Sequence, residues 1–345
     1  MAAAAAEAAM AQPAFPVAPH EFFRRPPPPP HHHETRPKPA AASNEAEQTM
    51  RLSDLEEICH LGAGASGVVT KVHHRPTGAV FALKTTFFPD RGVDDDEQTE
   101  AEALRRSAGS PHVVRCHAVL ADPDENVLAY VLELMDAGTL GAILKKRGNR
   151  GLPEPALAEA AARCLDGLAH LHARGVAHLD VNPDNLLVNA KGDVKVGDLS
   201  ESRTFLDRAG AARRVHVAVG KTAYMSPERF APVGAREGPR GAAAADVWGL
   251  GVTVLELFTG RRAFLPAAER PQYADLRRAI CDGEVPAVPE GSSPELRGFV
   301  AACLQKDPRR RATVTQLQAH PFVARRDVEE SRRAMREIVA ETKKE

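Results

Sequence analysis

The sequence predicts an α+β chain in which a small, strand-rich lobe precedes a larger, mainly helical lobe. Between residues 68 and 84, two β-branched runs flank a turn, which is typical of a hairpin. Apolar residues recur at helical spacing between residues 157 and 171, which indicates a long helix with one buried face. A further apolar run over residues 246–260 has the composition of a buried helix closed by glycine.

Length and composition exclude several classes of protein. The 345 residues, 43% of them hydrophobic, suffice for one large domain or two smaller ones. Lys and Arg total 45 against 46 for Asp and Glu, so the charge balance favours neither nucleic acid nor a membrane as a partner. The five cysteines show no metal-ligand spacing, which indicates thiols in a reducing compartment. We therefore expect a cytoplasmic protein, with the nucleus as a second location.

Both ends of the chain differ in composition from its centre. Residues 1–50 are rich in Ala, Pro and His, and such a segment cannot bury enough apolar surface to fold, so we expect a disordered arm. The adjacent histidines 31–33 are metal ligands or, more often in a flexible arm, simply solvated. Residues 324–345 show a charged helical pattern with no obvious partner for burial.

A glycine-rich stretch follows the arm. Gly62, Gly64 and Gly67 have the spacing that lets a turn lie close over a ligand and present backbone N–H groups to phosphate oxygens. The spacing alone is weak, because dinucleotide-binding folds use the same glycines ahead of a helix. Here residues 68–73 are β-branched and a second strand follows at 79–84, which favours a hairpin.

Lys84 ends that second strand, whose other residues are apolar. Its ammonium is therefore expected beneath the glycine turn, and the competing interpretation is a surface lysine on an edge strand. Residues 97–106 have helix-forming composition and contain Glu100 and Glu102. Two more strands, around 113–120 and 127–134, complete a five-stranded sheet.

Three polar residues downstream carry the predicted chemistry. Asp180 and Asn185 lie five residues apart in a loop before a short apolar strand, and Asp198 closes the next one. A carboxylate orients or deprotonates a hydroxyl, while amide and carboxylate oxygens suit a divalent cation. The set predicts metal-assisted phosphoryl transfer.

The order of these motifs resembles the eukaryotic protein-kinase domain over residues 52–323. This resemblance implies a bilobal kinase fold: an N-lobe over about 52–134, with a five-stranded antiparallel sheet and one helix, and a mainly helical C-lobe over about 139–323. Segments 110–117, 132–140 and 223–229 are similar to those of plant mitogen-activated protein kinase kinases. ATP, magnesium and a protein substrate, a mitogen-activated protein kinase, are then the expected cofactors and partners.

The resemblance assigns a role to each candidate residue. Lys84, paired with Glu100 (Glu102 is the rival), contacts the α and β phosphates; Asp180 is the catalytic carboxylate; Asn185 and Asp198 hold Mg²⁺. Glu228 is expected to pair with Arg311, and Asp246 to brace the catalytic loop. The nucleotide-binding set is Leu61, Gly62, Gly64, Gly67, Val69, Ala82, Lys84, Glu133, Met135 and Leu187.

Several positions depart from the kinase pattern. Leu179 replaces an Arg, Asn182 replaces a Lys that neutralises the transferring phosphoryl group, and Lys221 stands where the subfamily has Thr. The Asp-Phe-Gly motif reads Asp198-Leu199-Ser200. Loss of such a cation lowers the rate by a factor of about a hundred or more.

The activation segment carries no Ser, Thr or Tyr between Thr204 and Thr222. A phosphate there ordinarily docks on the catalytic-loop Arg and orders the segment. Because both partners are absent, we expect that phosphorylation at the usual place does not switch this chain on. An active kinase remains the leading hypothesis, and a pseudokinase acting as scaffold or competitor is the alternative.

Overall fold

An antiparallel five-stranded sheet forms from the strand-rich part of the chain, in the order β1-β2-β3-β5-β4. Its strands are β1 (Leu55–Gly64), β2 (Gly67–His74), β3 (Ala79–Phe87), β4 (Cys116–Asp122) and β5 (Val127–Glu133). The computed structural model describes residues 50–64, 67–87, 100–122, 127–207, 210–212, 214–216, 218–230, 236–265 and 271–343. The N-terminal arm, with its three histidines, lies outside these residues.

The chain divides into two units by its internal contacts: residues 1–97 with 118–131, and residues 98–117 with 132–345. The second unit is mainly helical. Its helices are α1 (Glu100–Ser107), α2 (Leu140–Lys146), α3 (Glu154–Ala173), α4 (Pro239–Thr259), α5 (Tyr273–Cys281), α6 (Pro294–Cys303), α7 (Val314–Gln318), α8 (Pro321–Ala324) and α9 (Val328–Thr342). The α+β class, with an antiparallel sheet followed by a mainly helical part, is confirmed.

Short strand pairs carry the loops of the second unit. They are β6 (Gly138–Thr139), β7 (Val176–Ala177), β8 (Leu186–Val188), β9 (Val194–Val196), β10 (Arg203–Thr204), β11 (Val215–His216) and β12 (Arg236–Glu237). The order β6-β8-β9 forms one small sheet, β7 pairs with β10, and β11 pairs with β12. The loop between β7 and β8, which holds Asp180, is therefore anchored at both ends.

The predicted strand at 113–120 starts three residues later, at Cys116. The preceding segment pairs with β9 instead: Val114 N donates to Val196 O at 2.8 Å, and Val196 N donates to His112 O at 2.9 Å. The apolar character of Val113, which is 2% exposed, reflects this packing rather than membership of the large sheet.

Helices α3 and α4 form the centre of the second unit. The predicted apolar stripe of α3 is buried, and the helix ends at the expected position. Gly260 closes α4 in the left-handed conformation, with φ of 71°. By length and composition α4 is apolar enough to cross a membrane, yet 78% of its most apolar window is buried within the protein, as is typical of a core helix.

The C-terminal tail is helical, as its charged pattern predicts, and one face of this helix is buried. Met335, Ile338 and Val339 follow helical spacing on α9 and are at most 3% exposed. They pack against α3 and α2. The sequence showed no obvious burial partner because this apolar stripe is narrow and lies among charged residues that form ion pairs, such as Arg332 with Glu159.

Candidate active site

The backbone of the loop after β7 is fixed from α4 by Asp246. This carboxylate is 1% exposed and accepts hydrogen bonds from His178 N at 2.9 Å and Leu179 N at 2.6 Å. His172 Nε2 lies 2.7 Å from Asp246 Oδ2, the same oxygen that accepts from His178 N. Burial raises the pKa of Asp246, but the hydrogen bond and the charge of His172 lower it by more. The net effect is a pKa below the ordinary value. The predicted brace of the catalytic loop is confirmed.

His178 links the loop to the end of β9. Its Nδ1 accepts a hydrogen bond from Asp180 N at 3.2 Å, so the other ring nitrogen, Nε2, donates to Gly197 O at 2.9 Å. The Gly197 N–H in turn donates to Asn185 O at 2.9 Å. Asp198 follows Gly197 directly, so its backbone is tied to the same loop as Asp180 and Asn185.

Three N–H groups converge on the carboxylate of Asp180. Asn182 Nδ2 and Asn185 Nδ2 donate to Oδ2 at 3.0 and 2.8 Å, and Lys221 N donates to Oδ1 at 2.7 Å. Both carboxamides also donate to the backbone carbonyl of Asp180. The carboxylate is 8% exposed and has little freedom to rotate. This geometry suits a group that must accept a hydrogen bond from one incoming hydroxyl.

Gly220 allows the activation segment to approach Asp180 this closely. Its φ is 84°, and a Cβ at this position would lie 2.6 Å from Leu179 O and 2.8 Å from Asp180 Oδ1. Only glycine fits both the backbone conformation and the space.

Asn185 and Asp198 supply a donor set of the kind that magnesium prefers. Asn185 Nδ2 is engaged with Asp180, which leaves Oδ1 as the coordinating atom, and Asp198 contributes a carboxylate on a backbone with φ of 55°. Within the described ranges no cluster of three or more His, Cys, Asp or Glu side chains has the arrangement of a metal site. Mg²⁺ is usually bound by one or two protein side chains together with the phosphates of the substrate, so these residues fit that ion.

The glycine-rich turn in the first unit is a hairpin, as predicted. Strands β1 and β2 pair antiparallel, with Gly62 opposite Val69 and Gly64 opposite Gly67. A Cβ added at Gly62 or Gly64 would meet no atom of the described residues within 4 Å, whereas Gly67 has φ of 123° and a Cβ there would lie 2.2 Å from Thr85 O. The first two glycines thus leave space for a ligand on the described side, and the third permits the close approach of β3.

Lys84 lies opposite Val69 in the pairing of β2 with β3 and is 3% exposed. This burial contradicts the alternative of a surface lysine. Ala82, on the same face of β3 two residues earlier, is 9% exposed, and Leu61 is 48% exposed on β1. Lys84 belongs to the first unit and Glu100 to the second, and their pairing stays a prediction.

Helix α1 favours Glu100 over its rival. Glu102 accepts hydrogen bonds from Arg105 Nε at 2.8 Å and Arg106 Nε at 2.7 Å. Burial raises the pKa of Glu102, but these two guanidinium groups lower it, and the net direction is downward. Glu102 is therefore neutralised within its own helix, and the choice of Glu100, which begins α1, as the partner of Lys84 stays a prediction.

The predicted adenine-contacting stretch follows β5. Both Glu133 side-chain oxygens accept hydrogen bonds from Lys195 Nζ, at 2.6 and 2.7 Å, and the Glu133 backbone N–H donates to Arg115 O at 2.8 Å. Met135 is 5% exposed, and its carbonyl accepts a hydrogen bond from Gly138 N at 3.0 Å. Leu187, on β8, lies opposite Lys195 on β9. The adenine contacts of these residues stay predictions.

The expected ion pair of the helical unit is present. Arg311 donates from both terminal nitrogens to Glu228, at 2.7 and 3.0 Å. The guanidinium also donates to Ala244 O at 2.8 Å and lies 5.2 Å from the ring centre of Trp248. This pair fixes the segment after the activation segment to α4.

An apolar cluster around Leu179 was not predicted from the sequence. Leu179 is 1% exposed, has φ of 62°, and packs with Phe205 and Val215 of the activation segment and with Ala242 and Ala245 of α4. Half-buried Leu206 and Val219 extend the cluster. The available signal was the coincidence of Leu179 with apolar residues in a segment lacking phosphoacceptors. A leucine thus replaces the phosphate-docking arginine, and its neighbours are apolar.

The loop geometry, with a clamped carboxylate beside an amide and a second tethered carboxylate, defines a protein kinase. The chain belongs to that family, since the protein kinase domain family matches residues 55–323.

Within the family the chain is similar to plant mitogen-activated protein kinase kinases. It is 41% identical to mitogen-activated protein kinase kinase 9 of Arabidopsis thaliana, over 78% of this chain and 84% of the relative. Identity to kinase kinases 7 and 10 of the same plant is 39% and 37%, covering 79% and 83% of this chain and 85% and 90% of those relatives.

Proposed function

We propose that this protein is an ATP- and magnesium-dependent kinase that transfers the γ-phosphate to Ser or Thr, and to Tyr, of a downstream mitogen-activated protein kinase. The observation that carries the proposal is the carboxylate of Asp180, held by three N–H donors in a loop that is also bonded to the residue before Asp198. The names of the relatives support the class of substrate.

Each residue has a defined task in this reaction. Asp180 accepts the hydrogen bond of the acceptor hydroxyl and takes up its proton as the oxygen attacks phosphorus. Asn185 Oδ1 and the Asp198 carboxylate would hold Mg²⁺, which would neutralise charge on the phosphates. Lys84 binds the α and β phosphates, and the backbone around Gly62 and Gly64 covers them. In this proposal the adenine would contact Leu61, Val69, Ala82 and Leu187, and the backbone of Glu133 and Met135 would supply its hydrogen bonds.

The activation segment supports a kinase that works without phosphorylation at the usual place. Thr204 is 1% exposed and so is inaccessible to another kinase in this conformation. The apolar cluster around Leu179 stabilises the segment from within. Burial of apolar surface thereby does what a phosphate and an arginine do elsewhere.

A pseudokinase acting as scaffold or competitor in the same cascade is the second candidate. It is favoured by Asn182, which replaces a cation in the catalytic loop, and by Ser200 in place of the motif glycine. The active kinase ranks first because Lys84, Asp180 and the two metal ligands are all retained. We place either protein in the cytoplasm, with the nucleus as a second location, and expect no nucleic-acid or membrane partner.

Incubation of the purified protein with ATP, Mg²⁺ and a panel of plant mitogen-activated protein kinases tests the proposal. Mass spectrometry should find new phosphates on Thr and Tyr of at least one acceptor with the wild type and none with Asp180→Asn. Equal phosphorylation by both proteins, or none by either, favours the scaffold. Phosphate on Ser or Thr alone corrects the proposed Tyr specificity.

A further inference from the structure

The side chain of Lys221 reaches from the activation segment into the catalytic loop. Its Nζ donates to Asn182 Oδ1 at 3.0 Å and to Asp184 Oδ2 at 2.9 Å, while its backbone N–H donates to Asp180. Asn182 in turn donates from Nδ2 to the Asp180 carboxylate. One carboxamide therefore separates the ammonium from the carboxylate that is proposed to receive the substrate hydroxyl.

Asn182 is fully engaged in this arrangement. It is completely buried, Nδ2 donates to two oxygens of Asp180, and Oδ1 accepts from Asp184 N and from Lys221 Nζ. A carboxamide has two donors and two acceptor positions, so none is left for a substrate. Asn182 therefore positions its neighbours and brings no charge of its own.

The positive charge of the Lys221 ammonium is only partly balanced by its neighbours and can attract an anionic ligand. Asp184 is its one carboxylate contact at salt-bridge distance among the described residues, and Lys145 Nζ lies 4.0 Å from the other oxygen of that carboxylate. Two cations thus share one anion. The Lys221 side chain is 47% exposed, and a lysine stem is flexible enough to move its ammonium to a new anion.

We propose that Lys221 supplies the cation that Asn182 lacks, by contacting the transferred phosphoryl group of ATP from the activation segment. This inference rests on the proposed function. In the step, the acceptor oxygen bonds to the γ-phosphorus as its proton passes to Asp180. The bond from that phosphorus to the bridging oxygen breaks, and its electron pair leaves on ADP. The ammonium donates a hydrogen bond to an equatorial oxygen of the moving group, where negative charge is concentrated.

A structural tether is the competing explanation, because the same contacts join two segments. Three variants of the full-length chain separate charge from tether. Lys221→Arg keeps the charge, Lys221→Gln keeps a hydrogen-bond donor without the charge, and the exchange Asn182→Lys with Lys221→Thr moves the cation back to the loop. Lys145→Met is the matched control, since it removes the other ammonium near Asp184.

The readouts are kcat and KM for ATP in phosphate transfer, and the Kd values of Mg²⁺-ATP and Mg²⁺-ADP by calorimetry. We expect Lys221→Gln to lower kcat by about a hundredfold and to weaken ATP binding by about tenfold without changing ADP binding. Lys221→Arg should retain at least about a tenth of the wild-type kcat, and so should the double variant Asn182→Lys with Lys221→Thr. Lys145→Met should behave as the wild type does.

The outcomes distinguish this inference from the proposed function. Suppose the wild type transfers phosphate. If Lys221→Gln then lowers kcat by less than about threefold, or if it weakens the binding of ATP and of ADP equally, the inference is overturned and the function stands. If the wild type transfers none but prefers ATP to ADP through Lys221, the function fails and the phosphoryl contact stands. A wild type that binds no ATP overturns both.

Discussion

Leu179 offers a direct test of how the activation segment is held. Its side chain is 1% exposed and contacts residues from the segment and from α4, so Leu179→Ala removes buried methyl groups and leaves a cavity. Such truncations cost about 2–5 kcal/mol. Alanine bears the same strain as leucine at φ of 62°, so the backbone offers no compensating gain. We expect a loss near the middle of that range.

The assay combines urea denaturation with amide hydrogen exchange. Exchange should accelerate in β10 and β11, which flank the cluster, because local opening loses the apolar contacts. Leu168→Ala is the matched control: Leu168 is also fully buried, on α3, and lies outside this cluster. It should lower global stability with no selective effect on the two strands.

A loss below about 1 kcal/mol for Leu179→Ala would contradict the packing argument, since it lies under the range for buried leucines. Unchanged exchange in β10 and β11 would show that the segment is held by other contacts. Either result would refute the reasoning that apolar burial replaces a phosphate here.

Three further predictions concern the framework. Asp246→Asn should lower the free energy of unfolding by about 1–3 kcal/mol for each N–H left without an acceptor. Because the folded-state pKa of Asp246 lies below its ordinary value, the ionised carboxylate stabilises the fold above that value and loses this effect as the pH falls. The difference in free energy of unfolding between variant and wild type should therefore shrink below about pH 4, as measured by denaturation at a series of pH values. Arg311→Leu leaves Glu228 without its cation and should cost about 3–5 kcal/mol in thermal denaturation, whereas a loss below about 1 kcal/mol would contradict this. Ile338→Ala should cost about 2–5 kcal/mol and speed limited proteolysis of the C-terminal tail, and a tail cleaved no faster would argue against the packing of α9 on α3.

The residues that the structure brings together around Asp180 could be predicted because the motif depends on residue types at fixed spacing. Asp180, Asn185 and Asp198 occur at the ends of short apolar runs, and the polar ends of adjacent strands meet at one edge. The brace by Asp246 and the pairing of Glu228 with Arg311 followed from the resemblance. Each of these assignments needs only the motif and the order of motifs along the chain.

Contacts between segments far apart in sequence were less accessible. The burial of Leu179 depends on residues 26 to 66 positions away, each of which is unremarkable alone. Lys221 and Asn182 appeared as two separate losses, although their side chains lie 3.0 Å apart. The apolar stripe of α9 was hidden among charges whose partners lie on α3 and in other segments of the second unit. Propensity and periodicity describe one segment at a time, so such couplings appear only in the folded chain.

The most direct test of the account is the rate of phosphate transfer from ATP to a protein acceptor at saturating Mg²⁺. Wild type, Asp180→Asn and Asp193→Asn should be compared; Asp193 is an exposed carboxylate in the turn between β8 and β9 and serves as the control. We predict that Asp180→Asn lowers kcat by about 10²–10⁴ and that Asp193→Asn matches the wild type. Equal rates for the wild type and Asp180→Asn would contradict the assignment of Asp180 as the catalytic carboxylate.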